Sequence, residues 1–217
     1  MRGHRIAGLR RGWQGVEQFV PTPEMHSDEG IESDPLPPGQ VWTISPGGNG
    51  TSPALYRLEA TVGPGNGVKI LNAPVAPAFR ESVRYGEQNL YTRAKELVGD
   101  RDPRAHEFSM QLRALDADTT GQGVGLGVLV SLCGALIERS VKGGLIIVGS
   151  LNLGGSVEMI PNPVGVAELA VEKGAATLLM PISARKQLFD LPDTLATKIS
   201  IEFYADAKDA FLKALVE

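Results

Sequence analysis

Cysteine is nearly absent from the 217-residue chain, since Cys133 is the only one. It lies in the apolar run 128–133, where an unpaired thiol usually behaves as a small hydrophobic side chain. No disulfide can form within the chain, and the sequence shows neither a signal-peptide pattern nor an apolar stretch approaching about 18 residues. We therefore expect a protein of the reducing cytoplasm that makes no membrane contact.

Histidine and excess positive charge are scarce as well. The three histidines, His4, His26 and His106, lie far apart and show no metal-ligand spacing, so we predict no metal site. The formal net charge of −4 provides no overall electrostatic basis for binding DNA or an anionic membrane. The arginines between residues 2 and 11 occur in small groups, which a solvated surface explains better than a DNA contact.

Residues 1–38 differ in composition from the rest of the chain. The stretch 28–38 alone carries four acidic residues and three prolines. Like charges repel and proline stiffens the backbone, so such a segment buries little apolar surface. We predict a linker or poorly ordered segment over residues 1–38 and one domain over residues 39–217.

From residue 39 the hydrophobic pattern alternates between strands and helices. Runs of β-branched and aromatic residues predict strands at 40–44, 54–62, 68–71, 108–115, 145–148, 177–180 and 199–204. Helical spacing predicts helices at 77–98, 124–139, 164–173, 185–189 and the C-terminus. Gly99 and Ser183 are the predicted caps, and Gly154 with Gly155 predicts the turn of a hairpin over 151–160. The early meander argues against a purely parallel sheet, so we expect an α+β fold with mixed sheets and flanking helices.

The most conspicuous local feature is the glycine-rich segment 119–127, between a predicted strand and a buried helix. Backbone amides at a helix start can face an anion, so a nucleotide or phosphate site is one interpretation. The dinucleotide pattern fails because glycine falls at every second position, and no lysine followed by Ser or Thr ends the loop as in a Walker motif. Tight packing of strand against helix is the simpler interpretation, and no cofactor is predicted for this domain.

Several segments recur in the order and spacing of one family. They are 39–43 for an opening strand, 63–67 for a P-G-x-G turn, 80–82 for a lysine-glutamate-serine group, 148–157 for a T-G-E block, and 174–181 with 191–192 near the end. From residue 39 to 215 the chain thus resembles the proteolytic domain of the Lon protease family, which is a C-terminal domain of AAA+ machines. The resemblance implies the Lon-domain fold.

The family is understood to use a serine nucleophile in a D-G-P-S-A-G motif and a lysine general base on the helix after the hairpin. A serine hydroxyl is a poor nucleophile unless a base takes its proton, and a lysine serves only when its surroundings lower its pKa. Laid on residues 120–125, the motif puts Gly123 at the serine position. The same register puts Val166 at the lysine position, 43 residues later, as in the family. The resemblance therefore implies that both halves of the dyad are absent, and we predict no catalytic residue.

An active ATP-dependent serine endopeptidase with a relocated dyad is the alternative. Ser131, Ser150 and Ser156 lie near the motif, but no lysine in the C-terminal half stands in family register with them. Lys142 and Lys173 lie beside glycines and are predicted to be solvated turn residues.

Among Lon-like chains, the sequence most resembles a Lon-like AAA+ protein of bacterial BREX phage-defence systems. That resemblance implies a homo-oligomeric ring that acts on DNA through the full-length protein. It also implies an ATPase portion outside this chain, and ATP and magnesium are expected only there. No Walker lysine or arginine finger can be assigned among these residues.

Overall fold

One mixed sheet of seven strands organises the chain in the computed structural model, which describes residues 30–48, 50–72, 75–116 and 120–217. The strands are β1 (Gln40–Ser45), β2 (Ala54–Pro64), β3 (Gly67–Ile70), β4 (His106–Ala114), β5 (Leu145–Ile147), β6 (Thr177–Pro181) and β7 (Ser200–Tyr204). Their spatial order is β3-β4-β2-β1-β5-β6-β7. The predicted strands and the α+β class are confirmed, and all seven strands share one sheet.

Strand direction divides this sheet into two halves. β2 runs antiparallel to both β1 and β4, and its Tyr56 lies opposite Thr43 on one side and Ala114 on the other. β5, β6 and β7 continue from β1 in parallel, while β3 is parallel to β4 at the opposite edge. Parallel neighbours need crossover connections, which the helices after β5 and β6 supply.

The α-helices of the described chain flank the sheet. They are α1 (Pro77–Thr92), α2 (Ala94–Val98), α3 (Gly125–Ile137), α4 (Pro163–Glu172), α5 (Asp193–Ala196) and α6 (Ala207–Ala214). The prediction of one continuous helix over 77–98 is wrong at Arg93, where φ of −117° and ψ of 21° interrupt it. Gly99 ends α2 at φ 66°, as predicted. None of the helices in the described residues is long and apolar enough to cross a membrane.

Apolar side chains fill both faces of the sheet. The first core packs α1, α3 and α6 on one face, with Phe79, Leu129 and Phe211 among its buried members. The second core packs α4 on the other face around Trp42 and Ile44. Successive side chains of a strand point to opposite faces, so each central strand supplies both cores and is buried on both sides.

Residues 30–38 are the described part of the predicted linker, and they lie against the domain. They form neither helix nor strand, but Ile31 and Leu36 are buried with the second core. The Ile31 N–H donates to the carbonyl of Lys173, and the Gly144 N–H donates to the carbonyl of Glu32. The rest of the predicted linker, residues 1–29, lies outside the described residues, and a domain boundary at residue 39 stays a prediction.

Short elements were predicted less well. The hairpin expected over 151–160 is reduced to a single bridge between Leu151 and Val157. The helix expected at 185–189 is a 3₁₀ helix, Ile182–Leu188, which follows Pro181 and is not capped by Ser183. The short helix α5 and a 3₁₀ turn at Pro103–Ala105 were not predicted. Elements of one or two turns show too few hydrophobic repeats to be recognised by periodicity.

Candidate functional site

The glycine-rich loop leads into helix α3 at the edge of a surface cleft. Gly121 and Gly123 have φ of 58° and 70°, a left-handed conformation that glycine adopts without steric cost. The Gly121 N–H donates to the hydroxyl of Tyr56 at 3.1 Å, which ties the loop to β2. At the start of α3, the Leu126 N–H donates to the carbonyl of Gly149 at 3.1 Å. The loop is thus anchored at both ends, and its path between them depends on glycine.

Gly123 is the residue predicted for the family nucleophile position, and its surroundings limit what a side chain there could do. A Cβ at this residue would lie 3.3 Å from Cδ of Pro46 and 3.9 Å from Cβ of Ser150. The contact with Pro46 is tight, and the positive φ would strain any non-glycine residue. The backbone at this position is therefore shaped for glycine.

Close packing explains another glycine of the motif. A Cβ at Gly127 would approach the Cβ and Oγ1 of Thr43 to 2.9 Å each, where α3 crosses β1. Thr43 itself donates to the carbonyl of Ile147 at 2.7 Å. The prediction that glycine serves tight packing of strand against helix agrees with the geometry at Gly127.

The cleft has a volume of about 420 Å³. Gly123 lies in its wall, together with residues from α1 and from the segments that follow β1 and β5. The lining residues are Pro46, Gly47, Ala78, Glu81, Ser82, Tyr85, Gln122, Gly123, Gly125, Ser150, Leu151, Glu158, Met159, Ile160 and Pro161. Met159 is 69% exposed, which leaves its thioether available to a ligand. The cleft is thus open, and its wall combines apolar and polar groups.

The charged groups of the cleft wall are the carboxylates of Glu81 and Glu158. The Tyr85 hydroxyl donates to Oε1 of Glu81 at 2.7 Å. That hydrogen bond and the negative charge of Glu81 raise the pKa of Tyr85, and the charge of Glu158 acts in the same direction. Neither this cleft nor any other part of the described ranges brings together three or more His, Cys, Asp or Glu side chains that could hold a metal ion.

The segment 148–150 brings Ser150 to the cleft from the end of β5. The Tyr204 hydroxyl donates to the carbonyl of Val148 at 2.6 Å, and burial raises the pKa of Tyr204. A Cβ at Gly149 would lie 2.1 Å from that hydroxyl oxygen, so glycine is needed for the tyrosine to reach Val148. The chain then turns into the cleft wall at Ser150.

Val166, the residue predicted for the family lysine position, lies in helix α4. The Asn162 side chain caps this helix by accepting from the Gly165 N–H at 3.1 Å. Val166 is fully buried in the second core, with Trp42, Ile44 and others. Among the described residues it is not part of the cleft lining. Of the two positions expected to form the dyad, Gly123 therefore lines an open cleft, whereas Val166 lies in an apolar core.

Ser131 and Lys173, two residues considered for a substitute pair, have other partners in the described part of the chain. Ser131 is fully buried and donates to the carbonyl of Gly39 at 2.6 Å. The prediction that Lys173 is solvated is wrong, because its Nζ lies 2.7 Å from Oδ1 of Asp116 in a partly buried ion pair. Within residues 30–48, 50–72, 75–116 and 120–217, no hydrogen bond joins a serine hydroxyl to a lysine amine.

Three residues of the cleft were not predicted as site residues: Glu81, Tyr85 and Glu158. Glu81 belongs to the segment 80–82 that carried the family resemblance, and Tyr85 stands four positions after it, where helical side chains meet. That spacing was an available signal. No sequence spacing indicated Glu158, because the folded path of the segment after Ser150 brings it to the cleft.

Comparison with known proteins shows which family the chain resembles. The chain is 29% identical over 204 residues to a "Lon-like protease BrxL" of Escherichia coli O9:H4 (strain HS), and the match covers 92% of the chain and 29% of that relative. A "Lon-like protease BrxL" of Bacillus cereus (strain H3081.97) is 24% identical, with the same shares covered. A "Lon protease" of Desulfatibacillum aliphaticivorans is 26% identical over 93% of the chain and 23% of its own length. The chain thus spans less than a third of these relatives. The family model of the Lon protease (S16) C-terminal proteolytic domain matches residues 16–217, so the chain belongs to that family.

Proposed function

We propose that this Lon-like domain has lost peptidase chemistry and serves as a non-catalytic interaction domain of an oligomeric AAA+ assembly. The observation that carries the proposal is the conformation of Gly123. The residue lacks a hydroxyl, has φ of 70°, and packs so that a Cβ would lie 3.3 Å from Pro46. Position 123 therefore favours glycine both for its backbone conformation and for the limited space beside Pro46.

The position expected for the general base carries valine, Val166, instead of lysine. A lysine can take a proton from serine only when its amine lies within hydrogen-bond reach of the hydroxyl. Val166 has no ionisable group and lies in the second core. The described lining of the cleft includes Glu81 and Glu158 but no lysine, arginine or histidine. Within the described residues, neither carboxylate forms a hydrogen bond with a serine hydroxyl.

The cleft that remains supports binding without cleavage. Its wall presents the exposed thioether of Met159, the amide of Gln122 and the carboxylates of Glu81 and Glu158. Apolar and hydrogen-bonding groups of this kind suit an extended polypeptide, whose backbone and side chains need both. We include the holding of a polypeptide segment in the proposed interaction role.

The test uses the purified domain and fluorescently labelled casein as an unfolded polypeptide. We expect an anisotropy increase on binding and no appearance of fragments, with an active Lon protease as the positive control. Fragments that disappear in a single serine variant would overturn the non-catalytic proposal. Absence of binding would overturn the polypeptide-holding role and leave the assembly role to be judged by its own experiment.

A relocated dyad is the second candidate, and Ser150 is the observation in its favour. This serine lines the cleft, and its Cβ is 3.9 Å from where a Cβ at Gly123 would lie. Ser150→Ala is therefore the decisive variant. Casein fragments from the wild-type domain that vanish in Ser150→Ala would identify an active serine endopeptidase, whereas an uncut substrate in both supports the non-catalytic domain.

For the full-length protein we propose a homo-oligomeric ring of the cytoplasm with a role in phage defence. The support is the similarity to relatives named BrxL, together with their greater length. ATP and magnesium would bind an ATPase portion outside this domain, and DNA would be contacted through the full-length protein. Deleting this domain from the full-length protein should change the ring size in mass photometry and abolish protection against phage. An unchanged ring and unchanged protection would contradict the assembly role.

A further inference from the structure

A short turn between Ser150 and Glu158, which we name the wall turn, forms one side of the cleft. Within it, the N–H groups of Asn152 and Glu158 donate to the carbonyls of Ser156 and Ser150. The Gly155 N–H donates to the carbonyl of Asn152, and the Ser156 N–H donates to Oδ1 of the same residue. Ser150, Leu151 and Glu158 line the cleft, so the position of the turn decides the shape of that side.

The sheet does little to hold the wall turn in place. Its strand-like pairing is the single bridge between Leu151 and Val157. Leu151, near the start of the turn, is buried in the first core and Val157 packs against that core, whereas Leu153 near the tip is 65% exposed. The tip of the turn therefore depends most on other groups, because local stability follows buried contacts and protected hydrogen bonds.

Two side chains from the α1 region reach the carbonyls of the wall turn. Nδ2 of Asn89 donates to the carbonyl of Asn152 at 3.0 Å, and Asn89 is almost fully buried. Nη2 of Arg93 donates to the carbonyl of Gly154 at 2.8 Å. Arg93 is the residue that interrupts the helix between α1 and α2. Both contacts end on backbone atoms, so they hold the path of the turn whatever side chains it carries.

Gly155 leaves the space that the Arg93 guanidinium occupies. A Cβ at Gly155 would lie 2.2 Å from Nη2 and 2.3 Å from Cζ of Arg93. Gly155 also has φ of 83°. The glycine and the arginine therefore fit each other, which makes the contact testable from both sides.

We propose that Asn89 and Arg93 are positioning residues that clamp the wall turn to α1 and thereby set the shape of the cleft. The clamp is a property of the fold. Its consequence for binding rests on the proposed polypeptide-holding role of the cleft. The experiments below separate the two.

The first experiment measures amide hydrogen exchange in Arg93→Ala. Loss of a hydrogen bond from a charged donor should speed exchange of the wall-turn amides about five- to tenfold, while protection in α3 and the sheet stays unchanged. Arg80→Ala is the matched control, since it removes an exposed guanidinium from the first turn of α1, at the opposite end of that helix from Arg93. Asn89→Ala should also speed exchange. Wild-type protection of the wall turn in both Arg93→Ala and Asn89→Ala would overturn the clamp.

The second experiment uses the fit between Gly155 and Arg93. Gly155→Ala should displace the guanidinium and speed wall-turn exchange as Arg93→Ala does. In the double variant the effects should be clearly less than additive, because the contact can be lost only once. Fully additive effects would show that the two residues act independently and would overturn the assignment of Arg93.

The third experiment asks whether the clamp matters for binding, with labelled casein as the probe. Arg93→Ala should weaken binding about twofold or more, because apparent affinity falls with the fraction of cleft in the competent shape. Arg93→Lys, which keeps a donor, should lie between wild type and Arg93→Ala. Faster exchange with unchanged casein affinity would overturn the positioning role. If wild-type protein binds no casein, the proposed polypeptide-holding role fails while the exchange data still decide the clamp.

Discussion

The glycine-rich loop and helix α4 carry the two predicted dyad positions, Gly123 and Val166, and the two residues differ in their surroundings. At Gly123 the backbone itself has φ of 70°, and the residue faces an open cleft. At Val166 the backbone is ordinary helix, but the side chain lies in the second core with no exposure to solvent. One position is therefore set by conformation and the other by burial.

Because of this difference, a serine restored at position 123 and a lysine restored at position 166 would meet different obstacles. A serine at position 123 would adopt a strained left-handed backbone conformation, and its hydroxyl would remain near solvent. A lysine at position 166 would have to bury an ammonium group in an apolar core or disrupt the packing to reach water. The loop should thus tolerate its substitution better than the helix does.

Val166→Lys is the change with the largest expected effect. An uncompensated charge in the second core should lower the free energy of unfolding by about 3–5 kcal/mol, measured by urea denaturation. Glu168→Lys is the control, because it places the same charge on the exposed face of α4. If Val166→Lys is as stable as the control, its amine reaches solvent or the cleft, and the contrast with Gly123 breaks down.

Gly123→Ser should destabilise the domain by about 1–2 kcal/mol, the cost of a left-handed backbone for a non-glycine residue. Gly123→Ala should cost the same, since the strain arises from Cβ and not from the hydroxyl. Gly63→Ala is the control, because its Cβ would meet no atom within 4 Å and its φ is not positive. A neutral Gly123→Ser in urea denaturation would show that the loop relaxes to an ordinary conformation.

Asp116→Ala tests whether the two regions are tied to each other. Asp116 lies just before the loop, accepts the Leu55 N–H at 2.7 Å and pairs with Lys173 at the end of α4. Its removal should cost about 1–2 kcal/mol, because the Leu55 N–H loses its acceptor and the ion pair is lost. Glu172→Ala removes an exposed neighbouring carboxylate as the control. Equal unfolding midpoints for the two variants would show that the tie is not stabilising.

Glu81→Gln should have the smallest effect, and it probes the cleft side of the comparison. It should lower the pKa of Tyr85 towards the ordinary value of 10.0, because the carboxylate hydrogen bond is the first cause of the raised pKa. Stabilisation from this bond is fully present below that ordinary value and is lost as the pH rises through the higher pKa of the folded protein. Ultraviolet titration measures the shift.

Glu87→Gln is the matched control for this titration. It removes the carboxylate that accepts the hydrogen bond of the Tyr91 hydroxyl, and it should leave the pKa of Tyr85 unchanged. Burial and Glu87 together raise the pKa of Tyr91 to about 12. Tyr85 titrating identically in wild type and Glu81→Gln would contradict the contact between them.

Long elements of the fold were predictable from residue patterns, whereas short ones were not. β2 could be predicted because its alternation spans many residues, and α3 because its apolar run is long. The break at Arg93 was missed because Arg93, Ala94 and Lys95 are good helix formers, and the interruption leaves no pattern in the sequence. The hairpin over 151–160 was overpredicted, since its glycines indicate a turn but cannot show that two strands pair across it.

Residue order, turn residues and hydrophobic period along the chain were enough to predict the family, the mixed α+β class, and glycine and valine at the two expected dyad positions. Three facts could be learned only from the folded domain: the left-handed backbone of Gly123 beside Pro46, the burial of Val166 in the second core, and the contact of Arg93 with the wall turn. Those facts depend on side chains brought together across large distances in sequence, because packing on two faces of one sheet assigns each residue its neighbours.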